Sequence, residues 1–514
     1  MPFFDFHIHP TLKTVFSENA NGKAKFSPWE RLKEKDIPFM LRWCSEFQRI
    51  LASQANLSQM IVNEYRLICL ALYMPERSLI DNKLISSAAK GKMSRYLNPA
   101  KLAKLMTENP FDQLTTEEWK SIIDATAFGV TDRKLKPLLR LADYDEQDDK
   151  TIHAVFSVEG CHTLCNAVGS YNEADIISNI DRLRSMVSLM SVNLTHMEQS
   201  PVCNHAFGVL FVENDVFIPT GEGIGSIGVA VIKHCYTNDI MIDVKHMSLG
   251  ARKQLYNLRQ TVGFSGINQP IVCTHAGFTG ISWNEIPQYI LNYKWSRGAD
   301  HVLLQQGKAI KYGGKYLLPA FNTSSINLYD EDILAILRSG GMIGLSLDKR
   351  ILGYQAFDEK SEYHYPAEPE YISLAEENHF LFGGTVGEAF NDGRCMNWQQ
   401  VEEAGETALE SYHLRYFMAH ILHVITVARN GGYDESAALK QLCIGSDFDG
   451  LINPVDCCET IDEIYYIKQQ LEDSLVDFAE ESDMELPAGF DVKEFSDGLF
   501  FFNGRDYVLS RLRS

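Results

Sequence analysis

Short apolar runs that end in polar residues alternate along this chain with longer helix-like stretches, the pattern of a parallel sheet covered by helices. Eight runs stand out: Phe3–Ile8, Leu67–Tyr73, Ala154–Val158, Leu189–Leu194, Ile240–Val244, Pro270–Cys273, Met342–Leu347 and Leu442–Gly445. Several are rich in Val, Ile and Leu, as strands covered on both faces should be. Eight strands with helical connections predict a closed α/β barrel, the (β/α)₈ or TIM architecture, rather than an open sheet. The spacing is uneven and predicts insertions at about 10–66, 74–150, 282–325 and 353–407. The first two read as helical, for example over Trp29–Ala52 and Thr116–Ala127, and a further helix is expected over Ser411–Arg429. The third carries Trp283, Tyr289, Tyr293 and Trp295, the aromatic content of a roof over the barrel mouth. There is no internal repeat and no low-complexity tract, so residues 1–514 read as one barrel with helical elaborations.

Charge narrows the partners. Lys and Arg total 47 against 68 Asp and Glu, a net charge of −21. Nucleic acid and anionic lipid both call for a basic face, so neither is expected as a partner. No apolar stretch approaches the ~20 residues of a membrane span. Pro2-Phe3-Phe4-Asp5-Phe6 reads as a buried strand rather than as a signal peptide. The eleven cysteines form no Cys-x-x-Cys pair and suit reduced, buried thiols. A cytoplasmic location is the expectation, and a homodimer is left open.

The polar residues that close the runs carry the chemistry. His7 and His9 end the first run, and residues i and i+2 of a strand point to one side, so both imidazoles can reach one ion. Glu159 ends the third run, His196 the fourth and His275 the sixth, while His246 follows the fifth and Asp447 the eighth. Barrel enzymes assemble their sites from the C-terminal ends of different strands. Imidazole and carboxylate together suit Zn²⁺ or a similar first-row ion, and a carboxylate such as Glu159 can bridge two ions. A lone His-x-His or Thr-His says little; the joint placement is the signal. His413, His420 and His423 share a helix and read as packing residues. Cys161, His162 and Cys165 lack an evident fourth ligand and are set aside.

The same residues resemble the membrane (renal) dipeptidase family of the amidohydrolase superfamily. The motifs fall in order: Asp5-Phe6-His7-Ile8-His9-Pro10, Val158-Glu159-Gly160-Cys161-His162, Asn193-Leu194-Thr195-His196, Ile242-Asp243-Val244-Lys245-His246-Met247-Ser248, Ile271-Val272-Cys273-Thr274-His275 and His420-Ile421-Leu422-His423. The most specific is Ile444-Gly445-Ser446-Asp447-Phe448-Asp449-Gly450. The resemblance implies two Zn²⁺ ions per chain, bridged by Glu159, one held by His7 and His9 and the other by His246 and His275. It further implies hydrolysis of a small amide or peptide by a hydroxide shared between the metals. Asp447 would shuttle the proton and His196 would stabilise the oxyanion.

Three positions depart from the family. His9 stands where the family has aspartate, and Cys161 where it prefers glycine. Ile326, in Ile326-Asn327-Leu328-Tyr329-Asp330-Glu331, replaces the arginine that binds a dipeptide's terminal carboxylate in the family. That loss turns the expected substrate away from simple free dipeptides, unless Lys294, Arg297 or Lys308 supplies the charge. Two rivals stand against the hydrolase. Gly223-Ile224-Gly225-Ser226-Ile227-Gly228 formally matches a dinucleotide fingerprint with Asp243 at the right remove, as in an oxidoreductase, but the run before it breaks at Pro219-Thr220. The other rival is a barrel kept only as a binding or structural subunit.

Overall fold

The computed structural model describes residues 1–19, 24–37, 49–81, 95–127, 133–208, 215–308, 321–353, 369–381 and 406–513. Each of the eight apolar runs is a strand: β1 (Phe3–Ile8), β2 (Tyr65–Leu72), β4 (Thr151–Val158), β5 (Leu189–Asn193), β6 (Met241–Asp243), β7 (Ile271–Ala276), β10 (Ile343–Leu345) and β12 (Leu442–Ile444). They pair in parallel in that order, and a short strand, β3 (Lys134–Pro137), pairs with the first half of β4, ahead of the part that pairs with β5. The result is a nearly closed (β/α)₈ barrel. Its seam is sealed by main chain: the Asp447 amide donates to the His7 carbonyl at 2.9 Å, and the His9 amide to the Phe448 carbonyl at 3.0 Å. Asp5 adds a buried carboxylate that accepts the amides of His7 and Ser446.

Side chains alternate across the staves, as a strand period of two requires. Phe4, Phe6, Leu67, Cys69, Val155, Met190, Met241, Val272, Met342 and Cys443 form one cluster, fed by all eight barrel segments and plugged by Phe501, Val508 and Leu512 near the C-terminus. Residues of the opposite parity, such as Ile68, Leu70, Ala154, Phe156 and Ile242, pack outward against the helices. Each fully buried side chain of this size contributes roughly 1.5–3 kcal/mol of transfer free energy. The helix Glu173–Met186 illustrates the outer layer. Asn172 caps it by accepting the Asp175 amide, and Ile176, Ile180 and Leu183 recur at helical spacing to face the barrel.

The insertions are less uniformly helical than the pattern predicts. Trp119–Ala127 is helical as expected. Over Trp29–Ala52 the described part holds a tight turn, Glu34–Asp36, and helix at 49–51, and the chain is extended at Ile37 because Pro38 follows; residues 38–48 lie outside the described residues. The third insertion forms an antiparallel hairpin, β8 (Ile290–Trp295) and β9 (His301–Gln306). A strand of the fourth insertion, β11 (Glu370–Ser373), joins its other edge. Ile290, Val302, Leu304 and Ile372 press this small sheet onto Leu249 and Tyr329, just beyond β6 and β7. Among the described residues no helix is long and apolar enough to cross a membrane.

Candidate metal centre

All seven residues singled out at the strand ends meet at one end of the barrel. His7 and His9 leave β1 on the same side, and their Nε2 atoms lie 3.1 Å apart. Glu159 follows β4. Its Oε1 lies 3.4 Å from His7 Nε2 and 3.2 Å from His246 Nε2, while Oε2 lies 3.3 Å from His9 Nε2. The Nε2 atoms of His246 and His275 are 3.2 Å apart. Asp447 reaches in from beyond β12, with Oδ1 3.4 Å from His9 and Oδ2 3.9 Å from His275. His196 stands on the far side, its Nε2 3.7 Å from Glu159.

The backbone at this end is built for the purpose. His246 and Asp447 both sit at positive φ, +67° and +62°. A non-glycine residue held there typically costs about 1–3 kcal/mol, and such strain clusters at functional sites. Gly450 is a necessity of the same loop, since a Cβ there would lie 2.1 Å from Asp447 Oδ1. Gly160, at φ +82°, lets the chain turn directly after Glu159.

The outward ring nitrogens fix which atoms face the centre. Thr274 Oγ1 donates to Asp243 and lies 3.0 Å from His7 Nδ1 and 3.1 Å from His275 Nδ1. With its one proton committed to Asp243, the hydroxyl accepts Nδ1–H from the rings, which leaves their Nε2 atoms bare. This assignment follows from the hydrogen-bond network. Two pairs of Nε2 atoms, each at 3.1–3.2 Å, then face one another and a carboxylate. His7 and His275 thus turn a bare Nε2 toward Glu159 Oε1 at 3.4 and 3.7 Å, lone pair against lone pair, a repulsion that a cation between them relieves, so the donor set fits a metal. Nitrogen and oxygen atoms of His7, His275 and Asp447, of His7, His9 and Glu159, and of Glu159, His196 and His246 form three overlapping groups, each within 4.8 Å.

Electrostatics agree. Burial, joined by the charge of His196, pulls His246 down to about 3. Burial pulls His275 well below the usual imidazole range. Both rings are therefore neutral, as ligands must be. Burial also acts against a charged His9, but Asp447 and Glu159 more than offset it and push that ring up to about 10. Burial alone would raise Glu159; the charge of His196 instead holds it well below the carboxylate range. Positive charge is favoured between these carboxylates, whether a proton or a metal supplies it.

Several residues of the site carry no motif of their own. Asp5, Asp243 and Thr274 brace the histidine-bearing strands, and Tyr73 and Glu76, just beyond β2, stand behind His196. An acidic residue four positions after Leu72, at the end of a run with no other assigned function, is the signal for Glu76. Lys245 is fully buried, and its Nζ has no hydrogen-bond partner among the described residues.

The remaining sequence expectations fall outside the centre. Cys161 and Cys165 donate to main-chain carbonyls, and the nine described cysteines are all buried and free. His420 bridges the Leu352 carbonyl and the Phe278 amide, and His423 pairs with Asp330 at 2.8 Å. Gly225 and Gly228 serve packing: a Cβ on either would strike the carbonyl of Pro201 or Val202 at 2.0–2.2 Å. Ile326 is buried beside Gly208, and Arg252 clamps the carbonyls of Ser325 and Asn327 on either side of it. Lys294 and Arg297 are exposed on the β8–β9 hairpin, and Lys308 pairs with Glu285 at 3.1 Å.

A (β/α)₈ barrel with a histidine–carboxylate cluster at the strand ends is the class that fold and site define. No family model matches the chain, and no curated protein matches it. Among solved structures it is similar to a probable dipeptidase, PvdM, from Pseudomonas aeruginosa, at 12% identity over 99% of this chain and 96% of that one, with a TM-score of 0.51. It also aligns with a metallo peptidase from Rhodobacter sphaeroides, bound there to a phosphinate mimic of L-Ala-D-Ala, at 13% identity over 100% and 99% of the two chains and a TM-score of 0.48. At such identity the first likeness carries the fold.

Proposed function

We propose that this chain is a divergent member of the membrane dipeptidase family, a zinc-dependent hydrolase that cleaves the amide or peptide bond of a small substrate. The observation that carries the reading is the convergence of His7, His9, His246 and His275 Nε2 atoms on Glu159 at 3.2–3.7 Å. His7 and His9 would hold one ion and His246 and His275 a second, with Glu159 between them. Two Zn²⁺ ions there would supply Lewis acidity for the carbonyl and an acidified water.

The chain's own groups supply the rest. Asp447, with its carboxylate within 3.4–3.9 Å of His9, His7 and His275, takes the proton of the attacking water and returns it to the leaving amine. His196 faces Glu159 from across the centre and donates from Nε2 to the developing oxyanion. Ile326 replaces a guanidinium with an apolar wall, which favours capped or neutral amides over free carboxylates. The test is a screen of dipeptides, N-acyl amino acids and their C-terminal amides with the zinc-reconstituted protein. Turnover of at least one class is expected, and turnover of none would overturn the reading.

A further inference from the structure

Behind His196, on the side away from the ligand cluster, lies a buried carboxylate that no step above uses. Glu76 is 2% exposed and lies just beyond β2, in Tyr73-Met74-Pro75-Glu76. Its Oε1 lies 2.6 Å from His196 Nδ1 and also accepts the Met197 amide at 3.3 Å. Its other oxygen accepts the Tyr73 hydroxyl. A carboxylate taken out of water is costly unless its lone pairs are filled, and here three donors fill them. Two of the three belong to His196 and the residue after it. Tyr73 packs its ring edge-on to His196 at 5.0 Å, and His246 closes the opposite side at 4.4 Å.

We propose that Glu76 is a positioning residue of the reaction: by accepting Nδ1–H it sets the ring plane of His196, so that Nε2 is the atom presented to the substrate carbonyl. The inference rests on the hydrolase reading for its kinetic consequence, but not for its geometry. An imidazole has two nitrogens, and the partner of one decides what the other offers. Without Glu76 the ring can rotate about its side-chain torsions between Tyr73 and His246, and Nε2 loses its aim. An oxyanion donor works only within a few tenths of an ångström of its place, so a partner of this kind acts on turnover more than on binding.

The experiment is a double-mutant cycle on the zinc-reconstituted protein, with the best substrate of the screen. Glu76→Ala is expected to lower kcat about 10–100-fold, the usual scale for the partner of a site histidine, with KM and zinc content close to wild type. Glu76→Ala in a His196→Ala background is expected to cost little further, because the group through which Glu76 acts on the reaction is already gone. Glu76→Gln keeps an acceptor for Nδ1–H and for the Met197 amide, and can donate to Tyr73, so most activity should return. Glu76→Asp withdraws the carboxylate by about 1.5 Å and should behave like alanine although the charge remains.

A full additional loss in the double mutant would overturn the proposal. So would rescue by aspartate but not by glutamine. If Glu76→Ala does not fold, the glutamine and aspartate variants carry the same cycle. A second readout needs no turnover: in histidine-¹⁵N-labelled protein, His196 Nδ1 should bear a far-downfield proton in wild type that is missing in Glu76→Asp. If the wild type turned over no substrate, the hydrolase reading would fall while this resonance still decided the role of Glu76. Its absence from wild type would contradict the proposal outright.

Discussion

The main-chain amide of Asp447 donates to the carbonyl of His7 at 2.9 Å, across 440 residues of sequence and across the seam of the barrel. One bond thus closes the sheet and sets the proposed proton carrier beside the first proposed ligand. The positive φ of Asp447 turns its carboxylate inward, and Gly450 leaves the room that this turn needs. Barrel closure and active-site geometry are one construction here.

Asp447→Asn keeps the shape of that turn and removes the titrating oxygen. Metal content and thermal midpoint should stay near wild type, because Asn also tolerates positive φ. kcat should fall about 10²–10⁴-fold, the usual contribution of general acid–base catalysis. Steady-state kinetics beside elemental analysis checks it, and retention of a tenth of the activity would remove Asp447 from the role.

The eight staves were legible because a barrel strand, buried on both faces, has to be an apolar run. The ligand candidates were legible because they follow those runs directly. What escaped depends on distant pieces meeting. Glu76 gains its meaning only when the chain beyond β2 meets the chain beyond β5 across the end of β4, and Thr274 only beside Asp243 and His7. The sheet formed by β8, β9 and β11 joins strands of two insertions, Gln306 ending β9 and Glu370 opening β11, and β9 alternates buried and half-buried residues only because Leu249 and Tyr329 lie beneath it. The expected helix over Trp29–Ala52 is present at 49–51 but interrupted at Ile37 for a local reason, the proline at 38.

Ile326 sets the substrate prediction. The wild-type protein should favour a C-terminal amide over the free acid of the same dipeptide in kcat/KM. Ile326→Arg should shift that ratio toward the acid by about tenfold or more, as a bidentate carboxylate pair does. Arg252 holds the flanking carbonyls, so the loop should keep its place around the new side chain. A wild type that prefers the free acid would contradict this, unless substituting Lys294, Arg297 or Lys308 abolished the preference.

Glu370 gives a pH prediction away from the metals. Burial pushes its carboxyl up to about 7, against the opposing hydrogen bonds of Ser325 and Gln306. Between its unfolded value of about 4.3 and its folded value, the native state holds the extra proton. Its contribution to stability is therefore full at low pH and is lost as pH rises through about 7. Glu370→Gln cannot ionise, so its thermal midpoint relative to wild type should climb steadily from pH 5 to pH 8. A difference that stays flat, or falls, would show that Glu370 is ionised throughout.

The central claim is that the strand-end histidines and Glu159 hold two metal ions. Elemental analysis of protein purified without chelator, then exposed to zinc and desalted, tests it most directly. The account predicts close to two transition-metal ions per chain, falling to about one in His246→Ala and in His275→Ala, with the thermal midpoint lowered on chelation. Wild-type protein that retains no transition metal after exposure to zinc would contradict it.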